Sequence, residues 1–541
     1  MYKGIFALIL MLIFLPLSSS EATALSANPR LGHYLNIDEM GMSSARDFYP
    51  TDPPALARNI AEFEQMEGVL IRYPFGISYS VIAALAEEDK VVTVVSSNNQ
   101  QNTVTSSYIA YGVNLDNCEF LIAPSDSYWT RDYGPWYIYD GEEVAIVNFI
   151  YNRPRPNDND IPIAVADYLG IGLYGMSVEH TGGNYMTDGY GISASTDLVI
   201  LENPGLTEAE IDQYMADYLG ITTYHKLADP NNTYIDHIDC WGKFLGVDKV
   251  LIREVPTSHA QYDEIEATAA YFAEQICSWG YPYEVYRVYT PNNQPYTNSL
   301  ILNKRVFVPI TGSGWDDDAL AVYEAAMPGY EVMGFTGTWE STDALHCRTK
   351  GIADRQMVHL AHQPYWQDEY GGSSLSLTAE VTAYSGEVLL ADSMYVAWRF
   401  NGAGWNYSSL ISQGNNSWET EIMIPGAEGE FEYYLHAEDM SGNEVEQPPA
   451  GAYDPHQFSV VFSNMLYGDI DSSGVVDSYD AALVLQYVVG LDPIPLIDPL
   501  PWEAERIEAA DVDNSGIIDS YDASLIMQYI VGLIGELPVD E

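Results

Sequence analysis

A cysteine late in the chain, Cys347, has the type of side chain that can attack a carbon atom directly, and it lies in the run LHCRTKG at 345–351. Three other stretches supply the partners that such a nucleophile needs: WTRDYGPW at 129–136, YIDHIDCWGK at 234–243 and PYTNSLILN at 295–303. Together these residue types favour deimination of a guanidinium group, the cation of an arginine side chain.

Paired carboxylates hold a guanidinium best, because it is planar, cationic and rich in N–H donors. Asp132, in the RDYG turn, and Asp239, two positions after His237, are the predicted pair. In an extended segment His237 and Asp239 would share one face. One side chain could then meet the reacting carbon while the other grips a guanidinium nitrogen.

The predicted chemistry divides a difficult hydrolysis into two steps. The thiolate of Cys347 adds to the central carbon and ammonia leaves, and water then hydrolyses the thiouronium intermediate. A nearby cation, including the substrate itself, favours the thiolate. We assign His237 to protonate the ammonia and then activate water, and Asn298 to position the site by hydrogen bonding. His346, if it lay on a strand, would point away from the face of Cys347.

On these residues the chain resembles the guanidine-modifying (pentein) superfamily, in the branch that joins agmatine deiminases with bacterial-type peptidylarginine deiminase. The motifs that carry the resemblance are RDYGPW, HTGGNYMTDG at 180–189, HIDCWGKFL and HC-R-T, and they span most of 28–365. The resemblance implies an α/β five-bladed propeller with a central active site that needs no cofactor for the chemistry. It also implies roles for five residues: Cys347 as nucleophile, His237 as general acid and base, Asp132 and Asp239 as guanidinium ligands, and Asn298 as a catalytic helper.

The substrate prediction depends on YNRPRPNDND at 151–160. Arg153 and Arg155 are predicted to clamp the α-carboxylate of a C-terminal arginine, a role that the peptidylarginine deiminase resemblance implies for such a pair. Trp129 and Tyr234 are predicted to hold the peptide end and the aliphatic stem. Agmatine has no carboxylate and would not need the two arginines.

Several alternatives remain open at this stage. The two arginines can be a solvated loop pair, and Trp129 can be ordinary core. The chain can be a secreted agmatine or free-arginine deiminase, an amidino transferase, or a catalytically inactive binding protein displayed on a scaffold. Ser341-Thr342-Asp343 stands where agmatine deiminases usually carry a glycine run, which weakens the agmatine assignment.

The pattern along residues 28–372 alternates between strands and helices, which predicts an α/β catalytic domain. The predicted strand runs are 91–97, 142–152, 197–203, 249–255 and 299–310, and the predicted helices are 80–89, 207–220 and 263–280. A glycine- and serine-rich boundary at 371–374 then leads to residues 375–463, where short alternating strands predict an all-β immunoglobulin-like sandwich. Its last strand is FSVVFS at 458–463, and a short linker follows at 464–467.

Residues 467–541 contain an internal repeat, in which the segment 468–491 returns at 510–533. Each copy opens with oxygen-bearing residues at the spacing of a calcium loop and continues into an apolar helix. The segment resembles the type I dockerin, a small all-α module that binds two calcium ions and docks onto a cohesin domain. Ser478-Tyr479 and Ser520-Tyr521, at the positions that help select the cohesin in that family, are identical in the two copies. The predicted calcium ligands are Asp469, Asp471, Ser473, Val475 and Asp480 in the first copy, and Asp511, Asp513, Ser515, Ile517 and Asp522 in the second.

The net charge limits the possible partners, and the first residues indicate the location of the protein. The net charge of −57 over 541 residues argues against nucleic acid as a partner and favours cationic ligands and calcium. Residues 1–24 read as a signal peptide, whose apolar run at 4–17 is shorter than a membrane span. We therefore expect a secreted protein with no membrane span after cleavage, held at the cell surface if its cohesin scaffold is. If Cys347 is the nucleophile, at most one disulfide can form among Cys118, Cys240 and Cys277.

Overall fold

The structure is a computed structural model that describes residues 48–461, 466–471, 473–490, 502 and 504–539. The predicted signal peptide and part of the predicted linker lie outside the described residues. The chain forms two compact units: one holds the described residues up to Trp366 with 376–421 and 432–457, and the other holds 367–375, 422–431 and those from Phe458 onward. Within the described part of the chain, no helix is long and apolar enough to cross a membrane. All four cysteines are free.

Five separate β-sheets make up the first part of the chain, and none of them closes on itself within the described ranges. In their order of pairing, the strands of the first sheet are Lys350–Ala353, Met66–Arg72, Lys90–Val95 and Cys118–Ile122; of the second, Arg58–Asn59, Trp136–Tyr139, Val144–Tyr151 and Leu173–His180; of the third, Met186–Thr187, Ile192–Thr196 and Thr223–Leu227; of the fourth, Gly242–Phe244, Lys249–Glu254 and Glu284–Tyr289; and of the fifth, Leu300–Leu302, Arg305–Ile310 and Glu331–Thr336. Their number equals the number of blades that the resemblance implies, while the propeller itself stays a prediction.

The five sheets share one connection pattern. A leading strand pairs antiparallel with a central strand, and a third strand then pairs parallel with the central one. A parallel neighbour requires a crossover, which is usually a helix, because a tight hairpin joins only antiparallel strands. The helices of this part of the chain are Tyr79–Glu88, Asn98–Tyr111, Pro156–Asn159, Ile161–Leu169, Leu198–Glu202, Glu208–Leu219, Tyr262–Glu274 and Asp316–Ala326.

The first sheet joins distant parts of the chain. Its leading strand, Lys350–Ala353, pairs antiparallel with Met66–Arg72, although the other four sheets lie between them in sequence. The other four leading strands come directly before their own central strands. The first sheet is therefore completed only when the chain returns to its starting strands.

The helices begin and end where their sequences allow. Ser78 caps Tyr79–Glu88 by accepting a hydrogen bond from the Val81 amide at 3.4 Å, as short hydroxyl side chains do at helix starts. Thr207 and Glu210 form a capping box at the start of Glu208–Leu219. The Tyr79–Glu88 helix buries Val81, Ile82 and Leu85 in the same core as the strands of the first sheet.

Three secondary-structure predictions need correction. The run 197–203, predicted as a strand, contains the helix Leu198–Glu202, because a short apolar run does not distinguish a strand from a buried helical turn. The Asn203 side-chain amide donates to the Val199 carbonyl at 2.7 Å and satisfies the end of this helix. The helix predicted over 263–280 ends at Glu274, and Ile276 then bridges to Pro282. The run 299–310 forms two antiparallel strands, Leu300–Leu302 and Arg305–Ile310, rather than one. The remaining predicted strand and helix runs of this region are confirmed within a few residues.

The regular structure between Val358 and Val461 is β-strand apart from two 3₁₀ turns, Ala391–Ser393 and Gly451–Tyr453. The strands are Val358–Ala361, Glu369–Tyr370, Ser374–Ala383, Tyr395–Phe400, Asn406–Ser409, Ile411–Gly414, Ser417–Met423, Gly429–Glu438, Glu444–Gln447 and His456–Val461. Ser374–Ala383 alternates between exposed and buried side chains, as expected of a sheet with one covered face. Val358–Ala361 pairs with the end of this strand, so residues before the predicted boundary at 372 contribute to the later sheet. The immunoglobulin-like topology stays a prediction.

The repeated segment contains the helices Ser478–Val488, Ala504–Ala510 and Ser520–Ile530. The first and third start in the same way: Asp477 with Asp480, and Asp519 with Asp522, each form a capping box. Their shared core includes Ile470, Leu483, Val484, Val512, Leu525 and Ile526. The two sequence repeats thus contribute equivalent residues to one small core.

Tyr384 tests how firmly the later strands are joined to the first five sheets. Its ring is stacked on Tyr139 with centroids 3.8 Å apart, and its hydroxyl accepts from Arg58 Nε at 2.7 Å. We expect Tyr384→Ala to lower the free energy of unfolding by about 3 kcal/mol, since it empties a buried contact. The control Tyr49→Ala, at a side chain that is 74% exposed, should change it by less than about 0.5 kcal/mol. Equal urea midpoints for the two variants would contradict this prediction.

Candidate functional site

Each of the five sheets places one of the predicted motifs at the same point, directly before its leading strand. Three of these segments are single 3₁₀ turns, and a 3₁₀ turn rotates the chain by about a third of a turn per residue. The equivalent residues in sheets two to five and then one are Asp132, Gly183, Asp239, Asn298 and Cys347. This equivalence explains how residues so distant in sequence come together.

The thiol of Cys347 is fully buried and has two polar partners. Asn298 donates from Nδ2 to Cys347 Sγ at 3.2 Å, and Asp239 Oδ2 lies 3.5 Å from the same sulfur. The Asn298 side-chain oxygen also accepts from the backbone amides of Ala344 at 3.2 Å and Cys347 at 3.3 Å. Asn298 therefore fixes both the turn that carries the thiol and the thiol itself.

The resting thiol is neutral. Burial raises the pKa of Cys347 well above its ordinary value, and the negative charges of Asp239 and Asp132 raise it further. A cation placed between these carboxylates would lower it again, because an opposite charge stabilises the thiolate. The site is therefore arranged so that a cationic ligand promotes ionisation of its own nucleophile.

Asp132, His237 and Asp239 pack closely around Gly183. His237 Nδ1 is 3.9 Å from Asp132 Oδ1. A Cβ atom on Gly183 would lie 2.6 Å from Asp132 Oδ1, 2.7 Å from His237 Nδ1 and 3.3 Å from Asp239 Oδ2. The glycine is thus needed for these three side chains to surround one point.

The local backbone differs from the prediction for two of these segments. His237 is extended, with φ −107° and ψ 137°, but Asp239 lies within the 3₁₀ turn Ile238–Cys240 rather than on a strand. His346 lies in the 3₁₀ turn His346–Arg348, so the expectation that it points away from the site is wrong. Its Nδ1 is 2.7 Å from Asp239 Oδ2, the oxygen that also faces the thiol.

Sequence reasoning missed Glu62, which lies on the other side of His346. Glu62 Oε2 is 2.7 Å from His346 Nε2 and 2.8 Å from Arg131 Nη2, and Glu62 Oε1 accepts from Lys243 Nζ at 2.8 Å. Arg131 and Lys243 lie inside two of the predicted motifs, so their position in the sequence points to the site. Glu62 lies in no motif, and nothing near it in the sequence points to the site.

Both carboxylates that contact His346 are held ionised. Burial alone would raise the pKa of Asp239, but the hydrogen bond and charge of His346, with the charges of His237 and Lys243, hold it below its ordinary value. Burial likewise opposes ionisation of Glu62, and the charges of Arg131, His346 and Lys243 outweigh it and keep the pKa well below its usual range.

The predicted substrate-binding residues are only partly brought together. Arg155 is 2% exposed, and its guanidinium lies over the Trp129 ring at 5.1 Å from the centroid. Arg153 is half-buried and donates to the Asn152 carbonyl at 3.1 Å. Burial first, and then the charge of Asp132, raises the pKa of Tyr151, while Arg155 and Arg153 lower it. The arginines and Asp132 thus lie within electrostatic range of one residue. Tyr234 is 44% exposed, and its hydroxyl lies 3.4 Å from Thr342 Oγ1.

The repeated segment forms two groups of carboxylates with the chemistry of a calcium site. Oxygens of Asp469, Asp471 and Asp480 lie within 4.8 Å of one another, and so do those of Asp511, Asp513 and Asp522. The loops turn at Gly474, with φ 82°, and Gly516, with φ 75°. Hard cations such as Ca²⁺ take carboxylate and carbonyl oxygens at this spacing, so the donor set fits the predicted ion. Ser473, Val475, Ser515 and Ile517, the other predicted ligands, lie in the same two loops.

Comparison with known families agrees with both parts of the chain. The model of the Porphyromonas-type peptidyl-arginine deiminase family matches residues 61–353, and the chain belongs to this family. The model of the dockerin type I domain matches residues 467–531, so the repeated segment is a type I dockerin.

Individual relatives carry a different name. A putative agmatine deiminase of Yersinia pestis is 26% identical over 261 residues, which is 40% of this chain and 72% of the relative. An agmatine deiminase of Medicago truncatula is 22% identical over 330 residues, covering 50% of this chain and 86% of the relative. A solved structure titled as a putative agmatine deiminase is 20% identical, covers 55% of this chain and 96% of its own, and has a TM-score of 0.50. At that identity it supports the fold alone.

Gly183→Ala tests whether the arrangement of Asp132, His237 and Asp239 depends on this glycine. The added methyl group would meet Asp132 and His237, so we expect deiminase activity to fall by about 100-fold or more, since small misplacements of reacting groups cost that much. Gly205→Ala is the matched control, because a Cβ atom there meets nothing within 4 Å. Citrulline release at equal melting temperature distinguishes the two variants, and full activity in Gly183→Ala would contradict the geometry.

Removal of calcium tests the two carboxylate groups. Without a cation their charges repel, so we expect a chelator to unfold the dockerin in the full chain while the larger unit stays folded. Calorimetry should show one transition moving to lower temperature. Asp480→Ala and Asp522→Ala should each weaken calcium binding at one group, whereas the exposed control Asp217→Ala should not. If the chelator leaves the temperature of the dockerin transition unchanged, a structural role for calcium is excluded.

Proposed function

We propose that this protein is a secreted peptidylarginine deiminase that converts peptide arginine, with C-terminal arginine preferred, to citrulline and ammonia. The observation that carries the proposal is the contact of Cys347 Sγ with both Asn298 and Asp239, next to the cluster of Asp132, His237 and Asp239 around Gly183. In this proposal the five sheets are the blades of a propeller and the site lies at its centre.

The substrate guanidinium would occupy the space between Asp132 and Asp239. Its positive charge offsets the carboxylates that disfavour the Cys347 thiolate, so binding and activation of the nucleophile are one event. The thiolate adds to the central carbon, and the tetrahedral adduct expels ammonia with a proton from His237. Water, deprotonated by His237, then attacks the thiouronium carbon, and the thiol leaves as citrulline forms.

Peptide specificity is proposed from the surroundings of Trp129. The buried Arg155 and its neighbour Arg153 supply a fork of donors suited to a carboxylate, and a decarboxylated arginine such as agmatine has no group for it. The names of the relatives favour the second candidate, a secreted agmatine or free-arginine deiminase.

The dockerin suggests where the enzyme works. We propose that it tethers the deiminase to a cohesin domain of an extracellular scaffold, with export directed by the predicted signal peptide. Ser478-Tyr479 and Ser520-Tyr521 are equivalent in the two repeats, and Tyr479 and Tyr521 are 42% and 56% exposed, as residues that contact a partner must be. A catalytically inactive protein displayed on the same scaffold is the remaining alternative.

Three substrates assayed side by side distinguish the proposed function from its two alternatives. They are a peptide that ends in arginine, the same peptide amidated at its C-terminus, and agmatine. We expect citrulline and ammonia mainly from the free-carboxylate peptide. Cys347→Ala should abolish turnover, because it removes the proposed nucleophile. Agmatine turnover alone would establish the second candidate, and no product from any substrate would favour the inactive reading.

Arg153→Gln and Arg155→Gln test the carboxylate clamp in the same assay. Loss of a charged hydrogen bond to the substrate should raise KM for the free-carboxylate peptide by about 10-fold or more, with little effect on the amidated peptide. The amidated peptide therefore serves as an internal control for folding. Equal effects on both peptides would remove the clamp and leave the chemistry in place.

A further inference from the structure

His346 connects the buried carboxylate of Asp239 and the partly buried carboxylate of Glu62 in a single chain of contacts. Its Nδ1 lies 2.7 Å from Asp239 Oδ2, and its Nε2 lies 2.7 Å from Glu62 Oε2. Asp239 Oδ2 continues the chain to Cys347 Sγ at 3.5 Å. His346 is 4% exposed and Asp239 is 3% exposed, so water does not compete effectively for these contacts.

The two carboxylates determine the protonation of the ring between them. An ionised carboxylate only accepts hydrogen bonds, so each imidazole nitrogen that faces one must donate. Both nitrogens of His346 then carry protons, and the ring is an imidazolium. A neutral ring would leave one short contact between two acceptors, which is unfavourable in a buried site.

Other charges compensate the two carboxylates unequally. Glu62 already contacts Arg131 and Lys243 directly. Asp239 shares its two oxygens with His346 and with the thiols of Cys240 and Cys347, and a thiol stabilises a carboxylate much less than a cation does. The titratable and charged groups that act on this chain are Arg131, Asp132, His237, Cys240, Lys243, Tyr323, Asp343, Cys347 and Lys350. Among these contacts, His346 is the cation in direct contact with Asp239.

We propose that His346 is a positioning residue, an imidazolium anchored by Glu62 that fixes both the orientation and the negative charge of Asp239. Asp239 can then grip the substrate guanidinium while the same carboxylate lies beside the Cys347 sulfur. Glu62 acts one contact further away by holding the ring of His346. This inference rests on the proposed deiminase chemistry, in which Asp239 must be ionised before the substrate arrives.

His346→Gln separates charge from shape, because glutamine can still donate to Asp239 but carries no charge. Loss of the cation raises the pKa of Asp239, so the acidic limb of the kcat/KM profile should move to higher pH by about one unit or more. The loss of activity should therefore be largest at low pH and smaller at high pH. A merely structural role would lower kcat/KM equally at every pH, or lower the melting temperature without moving the limb.

His362→Gln is a matched control. His362 is 5% exposed, and its ring nitrogens contact the Thr378 carbonyl at 2.7 Å and the Tyr433 hydroxyl at 3.0 Å. It is thus a buried histidine with both nitrogens engaged, but in the β-rich part of the chain. We expect the pH profile of this variant to match the parent protein, whatever happens to its melting temperature.

A second readout does not require turnover. The ultraviolet absorbance of the Cys347 thiolate, taken as the difference between each protein and its Cys347→Ala counterpart, reports ionisation of the thiol. In His346→Gln the charge of Asp239 is less compensated, so the thiolate should appear at higher pH than in the parent. If His346→Gln does not fold, His346→Asn, which also lacks the charge and can donate one hydrogen bond, should shift both profiles in the same direction.

The two readouts keep this inference separate from the proposed function. Unshifted profiles in His346→Gln, or shifts equal to those of His362→Gln, would overturn the role of His346. If the parent protein forms no citrulline from any substrate, the proposed function fails, and a shifted thiolate titration would still support the contact chain.

Discussion

The central constraint of this molecule is that carboxylates must stay ionised in a site that excludes water. Burial disfavours the charged form of Asp239, and nearby cations offset this penalty. His346, His237 and Lys243 supply that charge, and Glu62 contacts His346, Lys243 and Arg131. Burial and the charges of Asp239 and Asp132 keep the Cys347 thiol neutral until a cationic ligand arrives.

The repeated connection pattern makes this arrangement possible. In each sheet, the loop just before the leading strand carries one of the residues of the site. A short turn anchored by a strand has little freedom, so Asp132, Asp239, Asn298 and Cys347 are held without relying on long loops. Gly183 is the fifth member, and its lack of a side chain lets Asp132, His237 and Asp239 approach one another around it.

Local motifs predicted the residues whose chemistry is visible in the sequence: Cys347, His237, Asp239, Asn298 and Asp132. The contacts join Cys347 directly to Asn298 and Asp239, and the catalytic roles of the five residues stay predictions. The expected direction of the His346 side chain was wrong because it depended on a strand, in which neighbouring side chains point to opposite faces. In a 3₁₀ turn neighbours diverge by about a third of a turn, so both His346 and Cys347 reach Asp239.

Other features had no local signal. Glu62 contacts His346 across 284 positions of sequence, and nothing near Glu62 marks it. The run 197–203 has the composition of a strand, and only its surroundings decide that it forms a helical turn. The calcium groups lie at the opposite extreme, because the spacing of their aspartates within one loop determines the cluster almost completely.

The closure of the first sheet has a consequence for how the protein is made. Lys350–Ala353, the strand that follows Cys347, completes a sheet whose other strands are among the first to be synthesised. A chain still being translated lacks both this strand and Cys347. Completion of the first sheet and the placement of the Cys347 thiol beside Asn298 and Asp239 therefore occur together.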